Sequence, residues 1–412
     1  MLKNYFKIAI AVLKRRKFFT FISLFGISFT LTILMVATAF IDKILSPDYP
    51  DYKRDRSLYV ATMEYKNTKE GWLNRSDVSY YFFEHYVSTL KSIEKMAISS
   101  YATASNAYVN NKKLVIEYKY TNADFWNVLE YKFLEGKPFG KQEIANAEQV
   151  AVISEETKKA YFGDEKTVVG KYISADNISY RVIGVVANVS KTLYNLKGDM
   201  YIPLSLDKSN RPGNPELMGS YNGILLAKNK EDVPKVAKEF DQMMKKVPIP
   251  KDFDKVYSNA DPFFESMTRR IAGEGSTDGK GIVITVLTSF TLLFLLLPTI
   301  NLVNINITRI LERSSEIGVR KAFGASSKTL VYQFIVENLI LTLLGGIIGV
   351  FFSLLAIYLI NSANLISNMR LSLNFTVLFY SFILCVFFGL ISGVYPAWRM
   401  SKLNIVKALK AQ

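Results

Sequence analysis

Residues 18–40 read FFTFISLFGISFTLTILMVATAF, a stretch without a single charged side chain. It exceeds the roughly 20 apolar residues that an α-helix needs to cross the hydrocarbon core of a bilayer. Three further apolar stretches follow, at 282–307, 331–360 and 371–395. We therefore predict a multi-pass α-helical membrane protein with four transmembrane helices and a large α+β extracytoplasmic domain inserted between helices 1 and 2.

Basic residues concentrate in three short segments that flank the apolar stretches. Segments 1–17, 308–330 and 396–412 carry excess charges of +6, +3 and +4, whereas residues 44–280 hold 34 Lys or Arg against 32 Asp or Glu. Short basic flanks stay on the cytoplasmic side of a membrane. This predicts that both termini and the 308–330 link lie in the cytoplasm and that 44–280 and 361–370 lie outside it.

The predicted layout follows the chain from end to end. It consists of a cytoplasmic interfacial helix (1–17), transmembrane helix 1 (18–43), the outer domain (44–280), transmembrane helix 2 (281–307), a cytoplasmic coupling helix (308–330), transmembrane helix 3 (331–360), an outer loop (361–370), transmembrane helix 4 (371–395) and a cytoplasmic tail (396–412). An inward extension of the first span explains 1–17 as well as an interfacial helix does. The first span is longer than the roughly 7–15-residue core of a signal peptide, so we expect an uncleaved anchor.

The composition narrows the classes of function. A pI of 9.4 is typical of nucleic-acid-binding proteins, but these basic residues are juxtamembrane clusters, which favours contact with membrane lipid instead. His85 and Cys385 are the only histidine and the only cysteine, too few for a zinc site or a Cys–His pair. The glycines of 273–281 lack P-loop spacing. We expect no metal, no cofactor on this chain and no catalytic residue, although a carboxylate-only site stays open.

The outer domain shows alternating strand and helix patterns. We predict strands at 57–63, 114–120, 150–154 and 221–227, helices at 77–90, 155–162 and 231–246, and a hairpin of 171–174 with 180–186 joined through Asp176 and Asn177. The repeated strand–helix unit suggests two subdomains, approximately 50–115 plus 218–268, and 116–217.

The basic link at 308–330 carries charge at helical spacing. Its 3–4 spacing places Arg309, Glu312 or Arg313, Glu316 and Arg320 on one face. Gly324 fits the position that ends a helix, and Ser326 or Ser327 fits the cap of the next one. The spacing alone is equally compatible with a rigid lever and with an ordinary solvated loop.

The residues of this link resemble a known signature. The run ERSSEIGVRKAFGA at 312–325 is similar to the ERxxEIGxR[KR]AxGA motif of FtsX-like permeases, and YPAWR at 395–399 resembles the closing motif of that family. In the outer domain, FW at 125–126, EGKPF at 135–139 and VAVIS at 150–154 resemble the MacB-type periplasmic domain. The resemblance covers the whole chain.

The resemblance implies a mechanotransmission permease of the type VII ABC superfamily. It implies docking of a cytoplasmic ABC ATPase, which binds ATP and Mg, on the coupling helix. The implied ATPase-coupling residues are Arg309, Glu312, Arg313, Glu316, Gly318, Arg320, Lys321, Gly324 and Ala325. MacB carries its ATPase on the same chain before the first span, whereas this sequence starts at the interfacial helix. We therefore expect a separate ATPase subunit. Further implied partners are a second permease, as a homodimer or heterodimer, and a periplasmic adaptor with an outer-membrane channel.

The implied function is that of a permease subunit that couples ATP hydrolysis to movements of the outer domain. Such movements would drive export or extraction of a hydrophobic, peptide or lipoprotein-like substrate from the outer side of the inner membrane. The alternative is an ATPase-coupled transmembrane sensor or regulator of an extracytoplasmic or signalling partner, without transport.

Small residues recur at four-residue spacing in two of the predicted spans. Gly345, Gly349 and Ser353 follow one face of helix 3, and Gly389, Gly393 and Ala397 follow one face of helix 4 and its end. Such tracks allow helix backbones to approach closely, so we predict helix–helix packing sites rather than a pore.

Overall fold

A computed structural model provides the structure of the protein. It describes residues 10–15, 17–109, 112–209, 215–273, 275, 279–311, 319, 323, 326–364, 368–380, 382–383, 386–387 and 390. Contacts divide the chain into a unit of Met1–Ile44, Ile284–Leu365 and Arg370–Gln412, and a unit of Leu45–Val283 with Ile366–Met369. We call these the membrane unit and the outer domain.

The described helices and strands have the following bounds. The helices are α1 Lys17–Leu45, α2 Tyr80–His85, α3 Phe125–Val128, α4 Lys141–Ala145, α5 Glu155–Phe162, α6 Val233–Met244, α7 Phe263–Ala272, α8 Gly279–Leu311 and α9 Ser327–Ser362. The strands are β1 Ser57–Val60, β2 Met63–Asn67, β3 Trp72–Val78, β4 Ile93–Ser100, β5 Thr103–Val109, β6 Lys112–Thr121, β7 Phe133–Gly136, β8 Val150–Ser154, β9 Tyr172–Ala175, β10 Ile178–Val186, β11 Met200–Pro203, β12 Met218–Gly219, β13 Tyr221–Ala227 and β14 Lys255–Tyr257.

Two helices of the described chain are long and apolar enough to cross a membrane, Lys17–Leu45 and Val331–Ser362. The stretch Gly279–Leu293 is a shorter apolar part of α8. The predicted fourth span is described in part and is helical at 375–380. The count of four transmembrane helices therefore stays a prediction.

The outer domain has a mixed α/β fold built on one sheet. Its strands run in the order β14-β2-β3-β13-β4-β6-β11-β8-β10-β7, with β1, β5, β9 and β12 paired at the side of this path. Most pairs are antiparallel, whereas β6 with β11 and β8 with β10 are parallel. The parallel pair β8–β10 requires a crossover, and α5 lies in it.

Hydrophobic clusters cover this sheet in three places. The first packs α2 and α6 on β1, β2 and β13, the second surrounds α3, and the third lies around α5, β9 and β10. The second cluster joins Ala97, Ile224 and Leu226 to residues of 125–201, so it links the two predicted subdomains. Their limits, 50–115 plus 218–268 and 116–217, stay a prediction.

Several predicted elements of the outer domain are confirmed. Strands β8 and β13 and helix α5 have the predicted bounds. Helix α5 ends at Gly163, whose φ of 69° lies in the left-handed region that favours glycine. The β9–β10 hairpin turns at Asp176 and Asn177, which have φ values of 50° and 61°.

The predicted helix at 77–90 is confirmed only in part, as α2 and a 3₁₀ helix at Val87–Thr89, and is wrong at its start. Strand β3 continues to Val78, and helix α2 spans only Tyr80–His85. Ser79 caps α2 by accepting a hydrogen bond from the N–H of Phe82. Strand β3 is stabilised by pairing with β2, β12 and β13, which are partners that the local sequence does not reveal.

Candidate functional site

The predicted ATPase-coupling segment is described only at its edges and at two interior residues. Arg309 belongs to the last turns of α8, while Glu312, Arg313, Glu316, Gly318, Arg320, Lys321, Gly324 and Ala325 lie outside the described residues. The N–H of Phe323 donates to the carbonyl of Val319, 3.0 Å away, which is helical i,i+4 spacing. Ser326 caps α9 by accepting from the N–H of Thr329 at 3.2 Å, as the sequence predicted for this position.

Phe323 is a candidate that the sequence reasoning missed. Its side chain is 88% exposed, the highest value among the large exposed hydrophobic residues of the described chain. An exposed aromatic ring on a surface segment is typical of a protein–protein contact. The signal in the sequence was weak, since Phe323 is one of several apolar residues, with Ile317 and Val319, in the predicted cytoplasmic link.

The small-residue track of α9 lies against α1 within the membrane unit. A Cβ on Gly345 would lie 2.8 Å from Ile27 Cβ, and one on Gly349 would lie 3.0 Å from Leu31 Cβ. The Thr32 hydroxyl donates to the carbonyl of Gly349 at 3.2 Å. The two helix backbones therefore approach closely where α9 lacks side chains.

Of the other predicted packing positions, only Ser353 lies within the described residues. Ser353 is buried and donates its hydroxyl to the carbonyl of Gly349 at 2.7 Å. Gly389, Gly393 and Ala397 lie outside the described residues. On the same helix as Ser353, Glu337 is also buried, at 1% exposure.

A buried ionic cluster lies where the chain leaves α1 and begins the outer domain. Arg54 Nε donates to Asp51 Oδ2 at 2.9 Å, and the Tyr59 hydroxyl donates to the same carboxylate at 2.6 Å. Arg54 Nη1 also donates to the carbonyls of Leu45 and Ser46, at 3.1 and 2.8 Å. The guanidinium therefore ties the C-terminal end of α1 to the first turns of the outer domain.

The same arginine reaches helix α7. Its Cζ lies 3.8 Å from the ring centroid of Phe263, the first residue of α7. Tyr59 and Asp261 exchange two backbone hydrogen bonds, at 2.7 and 3.2 Å, and Arg269 Nη2 donates to Asp261 Oδ1 at 3.0 Å. We call the set Asp51, Arg54, Tyr59, Asp261, Phe263 and Arg269 the neck cluster.

Burial governs the electrostatics of the neck cluster. Desolvation raises the pKa of Asp51, while Arg54 and the Tyr59 hydroxyl act in the opposite direction. Burial also raises the pKa of Tyr59, so its hydroxyl stays protonated and donates. Removing one partner of such a buried pair costs about 3–5 kcal/mol, because the other charge is left buried without compensation.

A second arginine of α7 binds three separate parts of the outer domain. Arg270 Nη1 donates to the Tyr194 hydroxyl at 2.6 Å, Arg270 Nη2 donates to the Tyr101 hydroxyl, and Asp77 Oδ1 lies 3.5 Å from Nη2. A polar cavity of about 500 Å³ opens beside it, lined by Thr62, Arg75, Ser76, Asp77 and Arg270. Helix α7 is therefore held to the sheet by both of its arginines.

Two protein-family models match this chain. The model of the MacB-like periplasmic core domain matches residues 20–243, and that of the FtsX-like permease C-terminal domain matches 288–405. The chain is 25% identical, over 80% of its length and 79% of the relative's, to the uncharacterized ABC transporter permease YknZ of Bacillus subtilis.

Two further relatives are longer proteins. The chain is 27% identical to the pyoverdine export ATP-binding/permease protein PvdT of Pseudomonas aeruginosa, over 74% of this chain and 45% of the relative. It is 25% identical to the macrolide export ATP-binding/permease protein MacB of Pasteurella multocida, over 70% of this chain and 42% of the relative. The chain thus spans less than half the length of these two. From the two matched domains, the chain belongs to the family of FtsX-like ABC transporter permeases with a MacB-like periplasmic core domain.

Proposed function

We propose that this chain is the permease subunit that couples ATP hydrolysis by a separate cytoplasmic ABC ATPase to movements of the outer domain. These movements drive export or extraction of a hydrophobic, peptide or lipoprotein-like substrate from the outer side of the inner membrane. The names of two relatives, which export macrolides and pyoverdine, support an export role.

The neck cluster is the observation that carries the proposal. A displacement of the end of α1 acts directly on Arg54, because this guanidinium binds the carbonyls of Leu45 and Ser46. Arg54 passes the displacement to the Asp51 carboxylate and to the ring of Phe263 on α7. Charge-assisted hydrogen bonds in a buried site are short and directional, so they transmit movement better than a solvated loop would.

The cytoplasmic end supports docking of an ATPase. The coupling segment alternates acidic and basic residues, and Phe323 is exposed within it. Protein interfaces favour aromatic residues together with charged ones, because an aromatic ring supplies buried area and charges supply specificity.

The test asks whether movement of the outer domain requires the hydrogen bonds of the neck cluster. In the double variant Asp51→Leu/Arg54→Met, an apolar pair of similar size replaces the buried ion pair, which keeps the fold while removing the bonds to Leu45 and Ser46. The matched control is Lys53→Met, a neighbour whose ion pair with Glu130 is partly exposed.

The readout is the distance between spin labels at Tyr172→Cys and Tyr358→Cys in a Cys385→Ser background, with the ATPase in nanodiscs. We expect trapping of ATP hydrolysis with vanadate to change this distance in the parent and in the control, and not in the double variant. An unchanged distance in the parent would contradict ATP-driven movement itself. An equal change in the double variant would contradict the role of the neck cluster.

A further inference from the structure

Helix α7 presents an apolar face to the surroundings of the outer domain. Met267 and Ile271, one turn apart, are 44% and 73% exposed. Three other residues of the helix are turned towards the protein: Thr268 is buried, and Arg269 and Arg270 bind Asp261 and the Tyr194 hydroxyl. This is the pattern of an amphipathic helix whose apolar side has no protein cover within the described chain.

Both ends of α7 lie beside points where the chain passes into an apolar helix. At its start, Phe263 contacts Arg54, which binds the carbonyls of Leu45 and Ser46 at the end of α1. The other end packs against the first turn of α8. There, a Cβ on Gly279 would lie 3.0 Å from Ala272 Cβ, and Lys280 Nζ lies 2.6 Å from Glu265 Oε1.

The apolar run of α8 begins directly after the residues that contact α7. Ile282, two residues after Lys280, is exposed, and it begins the apolar run of 282–307. In a membrane permease, such a run faces lipid or other membrane helices. A helix packed along the first turn of this run therefore lies at the depth where lipid headgroups meet acyl chains.

We infer that α7 rests in the outer leaflet of the membrane, with Met267 and Ile271 inserted at the boundary between headgroups and acyl chains. Interfacial helices bind in this way, with an apolar side in the lipid and a polar side held elsewhere. Here the polar side is bonded to the sheet, so the helix fixes the outer domain on the bilayer surface. The inference requires a membrane location and does not depend on transport or on the ATPase.

A lipid surface is favoured over a second copy of the chain for two reasons. The end of α7 packs on the first turn of α8, directly before the exposed Ile282, and the start of α7 contacts Arg54, which binds the carbonyls of Leu45 and Ser46. A dimer contact would require neither feature. Both occupants are nevertheless separable by experiment.

The experiment uses the full chain in nanodiscs and a polarity-sensitive fluorophore at Ile271→Cys in a Cys385→Ser background. Nitroxide-labelled phospholipid is the quencher. The matched control carries the same fluorophore at Tyr172→Cys, an outer-domain residue of similar exposure (60%) on β9. A second label, at Met267→Cys, guards against a local effect of one substitution.

We expect labels at 271 and 267 to emit at shorter wavelength and to lose about half of their fluorescence in the quenching lipid, while the label at 172 is unaffected. Equal emission and equal quenching at 271 and 172 would overturn the inference. Oxidation of Ile271→Cys to a covalent dimer, without lipid quenching, would also overturn it and would assign the face to a second copy.

Discussion

Lys119 is a buried cation in the middle of a strand. Its side chain is fully buried, and its ammonium group donates to the carbonyls of Tyr194 and Asn195. Burial lowers the pKa of Lys119 to about 7, since desolvation disfavours the charged form. The neutral amine thus predominates in the folded protein above pH 7, whereas the unfolded chain stays protonated up to its ordinary pKa of 10.5.

This difference predicts a pH dependence of stability. A depressed folded-state pKa gives stability that is present above pH 10.5 and is lost as the pH falls towards 7, because only the unfolded chain binds the proton in that window. Relative to that of Lys119→Met, the free energy of unfolding of the parent should fall by about 1.4 kcal/mol for each unit by which the pH is lowered within this window.

Urea unfolding of the full chain in detergent, followed by tryptophan fluorescence, measures this slope between about pH 9.5 and 7.5. Lys113→Met, at an exposed position of the same strand, is the control and should leave the slope unchanged. Parallel curves for the parent and Lys119→Met would refute the shifted pKa.

At the scale of single elements, the contact between α1 and α9 depends on missing side chains. Gly345→Ala places a Cβ 2.8 Å from Ile27 Cβ, closer than real carbon atoms approach. We expect a loss of about 1–3 kcal/mol, the usual cost of over-packing. Thermal unfolding of the membrane unit in detergent measures it.

Gly26→Ala is the matched control for this contact, because a Cβ on Gly26 meets nothing within 4 Å. Alanine also favours a helix over glycine by about 1 kcal/mol, so this variant should be neutral or stabilising. If both alanine variants unfold at the same temperature, the α1–α9 contact is looser than the structure indicates.

The coupling segment allows a test by charge reversal. Glu316→Lys combined with Arg320→Glu preserves the net charge and an i,i+4 pair while reversing the pattern that a partner reads. We expect the ATPase to be lost from the purified complex, with the permease still inserted in the membrane and dimeric. Gly324→Leu should reduce coupling as well, since a β-carbon disfavours a left-handed turn.

Co-purification and ATP turnover in nanodiscs measure these effects. A wild-type yield of complex with wild-type turnover from the charge-reversed variant would mean that 308–330 is a solvated loop. The wild-type sequence and a Lys328→Glu variant, which changes charge in α9, beyond the 312–325 motif, serve as references.

At the scale of the whole molecule, the predicted orientation requires opposite accessibility of the two sides. Tyr172→Cys and Ser326→Cys, each in a Cys385→Ser background, should react with a membrane-impermeant maleimide from opposite faces of the inner membrane. Both positions are exposed, so protein burial does not limit labelling. Labelling of both from the same face would contradict the orientation inferred from Lys and Arg counts.

Local signals were sufficient for some parts of the outer domain. Strand β8 is an uninterrupted apolar run, and Gly163 ends the helix that follows it. Strand β3, WLNRSDV, carries mostly polar side chains and gains its conformation from pairing with β2. Lys119 stands in an alternating pattern that predicts a solvent-facing side chain, yet tertiary structure covers it.

The candidate functional residues also include some that the sequence predicted and others that it did not. The residues of the coupling segment were predicted because the 312–325 motif is contiguous in the sequence. The neck cluster was not predicted, since Arg54 and Phe263 are separated by more than 200 residues and only the fold brings them to 3.8 Å. The sequence around either residue gives no indication of this contact.

The sequence by itself determined the class of the protein, the positions of its apolar helices and the family, because length, hydropathy, charge bias and a contiguous motif are local properties. The tertiary structure alone decided that the small-residue track of α9 meets α1, which strands complete the sheet, and that Arg54 binds Leu45 and Ser46 as well as Phe263. These features depend on contacts between distant residues, whose free energies arise only when folding removes both partners from water.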